Sequence, residues 1–189
     1  MGDIMKFLIT GFEPFYTNKT NPSGDALNRL KDDDVDTLLL PVSYLKVREL
    51  LENKIKTCKP DVVISLGLAQ GRKCLTFELD GINYRKCSIP DNEGYQTNGE
   101  LINPKGKDAY FTKFDLHSLI KSLKEINITS DISVSAGAYV CNTVYYNILE
   151  MQEIYGYKAL FIHLPGEEAL SLENDIKALK AIIKEIKKA

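Results

Sequence analysis

The chain alternates from end to end between short apolar runs and longer stretches of helical period, and this constrains its fold more than any other feature. The runs MKFLIT, TLLLPV, DVVISLGL, DISVSA and KALFIHLP are rich in β-branched and large apolar residues with few polar interruptions. Continuous apolar runs of this length read as strands covered on both faces, the pattern of a mostly parallel sheet. Between them NPSGDALNRL offers Asn21 as a helix cap and Pro22 at the first helical position, and SYLKVRELLENKIK repeats Val47, Leu50 or Leu51, and Ile55. FDLHSLIKSLKEI is a third helical segment. The tail SLENDIKALKAIIKEIKK places Leu172, Ile176, Leu179, Ile183 and Ile186 along one stripe, with lysines at the end where the helix dipole favours them.

This alternation predicts an α/β fold, a single-domain three-layer α/β/α sandwich over residues 1–189 with a mostly parallel central sheet and helices on both faces. CLTFELDGINYRKC reads as a hairpin or an edge extension. SIPDNEGYQTNGELINPKGKDAY is so rich in turn formers that it reads as one long loop, and long ordered loops are often functional.

With 24 basic against 26 acidic side chains, the chain carries no field to attract a polyanion, so nucleic acid is not an expected partner. The opening MGDIMKFLIT lacks the features of a secretory signal and no stretch is long enough to span a membrane, so a cytoplasmic location is expected. The four cysteines at 58, 74, 87 and 141 contain no C-x-x-C pair, and the only histidines are His117 and His163. Clustered metal ligands are therefore absent, no metal is expected, and the thiols are expected to be free.

Two residues stand where α/β folds gather chemistry, at the carboxyl ends of strands. The segment DISVSAGAYVCNTVYYNILEM reads as strand, small-residue turn and helix, with Cys141 in the first helical turn. There the dipole and unpaired amides would stabilise a thiolate, and one amide would serve an oxyanion. The competing reading is a small apolar side chain packed on the sheet. His163 closes the run ALFIHLP, whereas His117 lies within an amphipathic helix and reads as helix surface. A carboxylate to brace an imidazole is available at Glu78 or Asp80, two residues apart in LTFELDG, and the residues alone do not choose between them.

Taken in order, LITGFEPF with NPS shortly after, SLGLAQGR, FEL, IPDNEG, SAGAYVCN and FIHLP resemble the pyroglutamyl peptidase type I family, also called pyrrolidone-carboxylate peptidases, across Lys6 to Pro165. The resemblance implies a cytosolic cysteine peptidase that needs no cofactor. It assigns a Glu-Cys-His triad to Glu78, Cys141 and His163 and implies removal of N-terminal pyroglutamyl residues from small peptides through a thioester. It places Phe12, Phe15, Asn21, the backbone near Leu68, and Val140 around the lactam ring, although core packing also accounts for the two phenylalanines. It further implies a homo-oligomer, a tetramer or dimer.

Three departures stand out. Tyr16 and Thr17 replace a glycine pair, the segment after Pro165 reads GEEALSLEN, and Ser88 occupies a position where the family carries arginine. Arg85 or the amide of Cys141 would have to replace that guanidinium. The second reading of the chain follows from Ser88: a weakly active or inactive relative that keeps the fold and binds pyroglutamyl peptides.

Overall fold

Phe7–Phe12 forms β1, and its side chains alternate between two separate cores. Phe7 and Ile9 enter one, Leu8 and Phe12 the other. The computed structural model describes residues 4–30 and 32–188, so residues 1–3, 31 and 189 of the expected domain lie outside the described part. β1 is followed by α1 (Pro22–Arg29), β2 (Val35–Leu40), α2 (Val47–Cys58) and β3 (Val62–Leu68). Next come β4 (Leu75–Glu78), β5 (Asp80–Ile82), β6 (Ala109–Phe111) and α3 (Leu116–Lys124). β7 (Ser130–Ser133), α4 (Val140–Tyr155), β8 (Lys158–Leu164) and α5 (Leu172–Ile186) complete the order.

Six strands form one sheet in the order β2-β1-β3-β8-β4-β7. The helices α1, α3 and α5 cover one face and α2 and α4 the other, which is the expected three-layer arrangement. Because both faces are buried, neither side of β3 or β8 tolerates a charge, and each fully buried aliphatic or aromatic side chain stabilises the fold by about 1.5–3 kcal/mol. Asn21 caps α1 as expected, its side chain accepting from the Ser23 amide, with Pro22 next.

The segment expected as a hairpin or edge extension instead supplies β4, an interior strand. β4 pairs antiparallel with β8 and parallel with β7, so β4 and β7 run against the other four strands. Its neighbour β5 leaves the sheet to pair with β6. The loop joining β5 to β6 is pinned by side chains. Both Asp91 oxygens accept from amides, Oδ2 from Tyr44 and Oδ1 from Glu93 and Tyr95, at 2.9 Å each, and Asn92 Nδ2 donates to Pro14 O at 3.0 Å. The tail helix departs from its expected stripe in one place: Asp175 is fully buried, whereas Ile176 is only half-buried.

Candidate active site

Strand register brings the expected carboxylate to the expected imidazole. In the antiparallel β4–β8 pair Thr76 faces His163 and Glu78 faces Phe161, so Glu78 and His163 are diagonal neighbours on one face of the sheet. His163 Nδ1 lies 2.6 Å from Glu78 Oε1, and the Glu78 side chain is fully buried. Strand parity alone would admit Asp80, two residues on, to the same face, but β4 ends at Glu78, so the other carboxylate considered is not in this contact. Asp80 begins β5 outside the main sheet, opposite Phe111. His117 is exposed in the first turn of α3.

Cys141 reaches the site by a different route from the expected one. β7 runs against β8 and ends at Ser133, in register with Glu78, so the carboxyl-end rule does not deliver the helix start. The loop Val134–Tyr139 carries the chain back instead. There Cys141 packs at the level of Gly67, which pairs with His163. A methyl group on Gly67 would lie 3.0 Å from Cys141 Sγ, so the missing side chain of this glycine is the space the sulfur occupies. Cys141 is the second residue of α4, as its sequence suggested, and Tyr139 at the cap position makes no side-chain capping bond. By contrast α1, α3 and α5 are capped by Asn21, Asp115 and Ser171. α2 also lacks a side-chain cap after Lys46, but the uncapped start of α4 borders a cavity, so its first amides are placed to meet a ligand.

Cys141 and His163 open onto one cavity of about 320 Å³. Phe12, Phe15, Asn21, Leu68 and Val140, the five residues expected around the ring, all line it, together with Tyr139. Phe12 is buried, belonging to the core while it also lines the cavity; Phe15 is half-buried. Asn21 Oδ1 is occupied in the cap, and Nδ2 donates to Glu13 O at 3.0 Å. Tyr139 donates through its hydroxyl to Pro90 O at 3.0 Å and packs on Phe15 and Tyr44, which joins the IPDNEG loop to the cavity wall.

Ser88 is exposed and Arg85 does not compensate for it. Arg85 Nε pairs with Glu100 at 3.0 Å, and its guanidinium stacks over Tyr44 and Tyr95 outside the cavity. The guanidinium that does line the cavity belongs to Arg72, which sequence reasoning did not single out. Arg72 Nη1 donates to Glu78 Oε1 at 2.6 Å and to Thr76 Oγ1, while Nη2 donates to Ser135 O at 3.2 Å. A carboxylate within a strand requires a cation nearby, and Arg72, six residues before Glu78, was a signal of that kind.

The electrostatics correct one expectation. Burial raises the Glu78 pKa, but hydrogen bonding and charge from His163, with help from Ser133 and Arg72, outweigh it and hold the carboxyl below its ordinary value. Burial lowers His163 below 6.5, only partly offset by Glu78, with Arg72 lowering it further. Cys141 is pushed up to about 12, first by burial and then by the negative charge of Glu78, against the opposing pull of Arg72 and its own amide. The sulfur touches the cavity, yet protein surrounds it closely enough that desolvation outweighs the helix terminus. The resting pair is therefore thiol and neutral imidazole, not the thiolate the helix start alone suggested.

Among the described residues no three His, Cys, Asp or Glu side chains gather into a metal-binding group, all four cysteines are free, and no helix is long and apolar enough to cross a membrane. Residues 5–188 match the pyroglutamyl peptidase family. The pyrrolidone-carboxylate peptidase of Thermococcus onnurineus is 42% identical over 98% of this chain and 100% of that protein, and the one from Levilactobacillus brevis is 37% identical over 96% and 97%. A mutant pyrrolidone carboxyl peptidase from the hyperthermophile Pyrococcus furiosus superposes with a TM-score of 0.89 at 35% identity, over 96% of this chain and 97% of that one. Sequence and structure agree over nearly the whole length, and this chain belongs to the pyroglutamyl peptidase family.

Proposed function

We propose that this chain is a cysteine peptidase that removes the N-terminal pyroglutamyl residue from small peptides, with Cys141 as nucleophile, His163 as acid and base, and Glu78 as its support. The observation that carries the reading is the shared cavity: a thiol and an imidazole open onto one largely apolar space, and the imidazole's other nitrogen is held 2.6 Å from a buried carboxylate. A lactam is small and uncharged, so apolar walls with a few polar anchors suit it.

Because Nδ1 is committed to Glu78, Nε2 is the nitrogen available to the reaction. As Sγ bonds to the carbonyl carbon beyond the ring, the thiol proton passes to Nε2, and the first amides of α4 receive the oxyanion. Collapse breaks the C–N bond, and the imidazolium returns its proton to the departing amine. Water then attacks the thioester, giving up a proton to Nε2, and the second collapse frees pyroglutamate and the thiol. From a neutral pair the charges develop as Sγ attacks, and Glu78 then favours the imidazolium that forms. An intact Glu78–His163 contact supports this reading over the weakly active binder that Ser88 suggested.

The test is turnover of a fluorogenic pyroglutamyl amide by the wild-type chain and by Cys141→Ser. We expect turnover in the first and loss of more than about 99% in the second, in line with removal of a nucleophile. An inert but folded wild type would overturn the reading.

The lactam-binding roles of Phe12, Phe15, Asn21, Leu68 and Val140 belong to the same proposal, as do a single peptidase domain over residues 1–189, a cytoplasmic location and a homodimer or homotetramer. The apolar side chains of Ile82, Tyr84, Leu101 and Phe111, exposed on and beside the small β5–β6 sheet, support assembly, which sedimentation would read directly.

A further inference from the structure

Glu78 has an uneven environment. Oε1 accepts from both His163 and Arg72 at 2.6 Å, whereas Oε2 is buried without a partner. The His163 contact brings a counter-charge only when the imidazole is protonated, a state that burial disfavours. The other titratable groups around this carboxylate are Cys141 and Tyr145 of α4 and Asp80 of β5, and none of them is a cation. Among the described residues, Arg72 is the only permanent cation bonded to Glu78 and the only one lining the cavity.

We propose that Arg72 is the positioning residue of this site, supplying the permanent counter-charge to Glu78 and locking that carboxylate to the loop that delivers Cys141. The inference rests on the peptidase reading above and deepens it. The guanidinium reaches two elements at once: Nη1 holds Glu78 on β4, and Nη2 holds the carbonyl of Ser135 in the β7–α4 loop. Only a planar fork makes both contacts in fixed relative geometry, and an ammonium cannot. Arg72 itself comes from the turn after β3, beside Leu68 at the strand's end and Ala69 in the turn, both of the cavity wall, and its amide donates to Ala69 O at 3.2 Å. One side chain thus ties the ring-binding wall, the carboxylate and the nucleophile's loop together. It also provides the cavity with the guanidinium that Ser88 does not.

The charge has a definite sign of effect. Without Arg72 the Glu78–His163 pair takes up its proton at higher pH, whichever of the two holds it, because a neighbouring positive charge has gone. Arg72→Gln is therefore expected to lower kcat/KM on the order of 10²-fold, mostly in kcat, and to move the acid limb of the pH–rate profile upward. Arg72→Lys keeps a charge but loses one arm, and we expect about tenfold lower kcat with the limb near wild type. On a Glu78→Gln background, Arg72→Gln should cost little more, since its partner is already altered.

Proton uptake can also be followed without turnover, through the imidazole resonances of His163 with His117 as internal reference, and Arg72→Gln should shift it to higher pH. If wild type were inert while that shift appeared, the peptidase reading would fall and the role of Arg72 would stand. Arg72→Gln within threefold of wild type with unmoved proton uptake would overturn the role. So would an undiminished kcat in Arg72→Lys, the variant that decides the matter if Arg72→Gln does not fold.

Discussion

Gly67→Ala adds one methyl group to a central strand and should inactivate the site while leaving the fold standing. The new Cβ would lie 2.9 Å from Phe161 Cζ and 3.0 Å from both Cys141 Sγ and Phe161 Cε1. Ordinary carbon contacts need about 3.5–4.0 Å, so roughly 0.5–1 Å must be recovered. Phe161 cannot supply it cheaply. Its ring is fully buried, with centroids 5.5 Å from Tyr145 and 4.8 Å from His163, so displacing it displaces the imidazole as well. The sulfur hangs from a single torsion and is the atom that yields, at about 0.5–1.5 kcal/mol for leaving its rotamer well. Overpacking of this kind destabilises by about 1–3 kcal/mol in total, whereas a misplacement of about 1 Å at a reacting atom costs on the order of 10²-fold in rate. The assay is kcat/KM on a fluorogenic pyroglutamyl amide beside a thermal melt. Gly156→Ala, at the far end of α4 from Cys141, is the control: it strains a backbone at φ +80° but meets nothing, so it should lose stability and keep its rate. A Gly67→Ala variant within threefold of wild-type activity would refute the idea that strand packing fixes the sulfur.

Asp175, buried in α5 with both side-chain oxygens unpartnered, has its carboxyl raised to about 7 by burial and, secondarily, by Glu167. A folded value above the unfolded 3.8 means that stability is full below that pH and is lost as pH rises through 7, by up to about 4 kcal/mol. Asp175→Asn should therefore flatten denaturant-derived stability between about pH 4 and 8 and be the more stable protein at the upper end; parallel curves for the two proteins would contradict this. Since His163 must be neutral to accept the thiol proton and lies below 6.5, the acid limb of wild-type kcat/KM should have its midpoint below 6.5, read from a pH–rate profile. Alkylation of Cys141 by iodoacetamide, followed by peptide mass spectrometry, should climb about tenfold per pH unit through the neutral and alkaline range, because the thiol ionises only near 12. Labelling that levels off in mild acid would instead reveal a preformed ion pair.

Much of this molecule is set by local rules. Runs such as DVVISLGL are apolar on both faces and can only be interior strands, Asn21-Pro22 starts a helix wherever it is placed, and the stripe on α5 must face a core. The chemical types at Cys141 and His163, each at the end of an element, were legible for the same reason, and the order of motifs singled out Glu78. Tertiary structure decided everything that depends on pairing between distant segments. The reversal of β4 against β8 carries no mark in its residues, yet it puts Glu78 diagonal to His163, and the end of β4 at Glu78 leaves Asp80 outside. Exchange of Arg85 for Arg72 at the cavity likewise follows from which loop lies over which strand. Charge state was the least legible property: a helix start argues for a thiolate, but the depth of protein around the sulfur argues the other way and prevails, because desolvation depends on the surroundings of an atom in space and not on its neighbours along the chain.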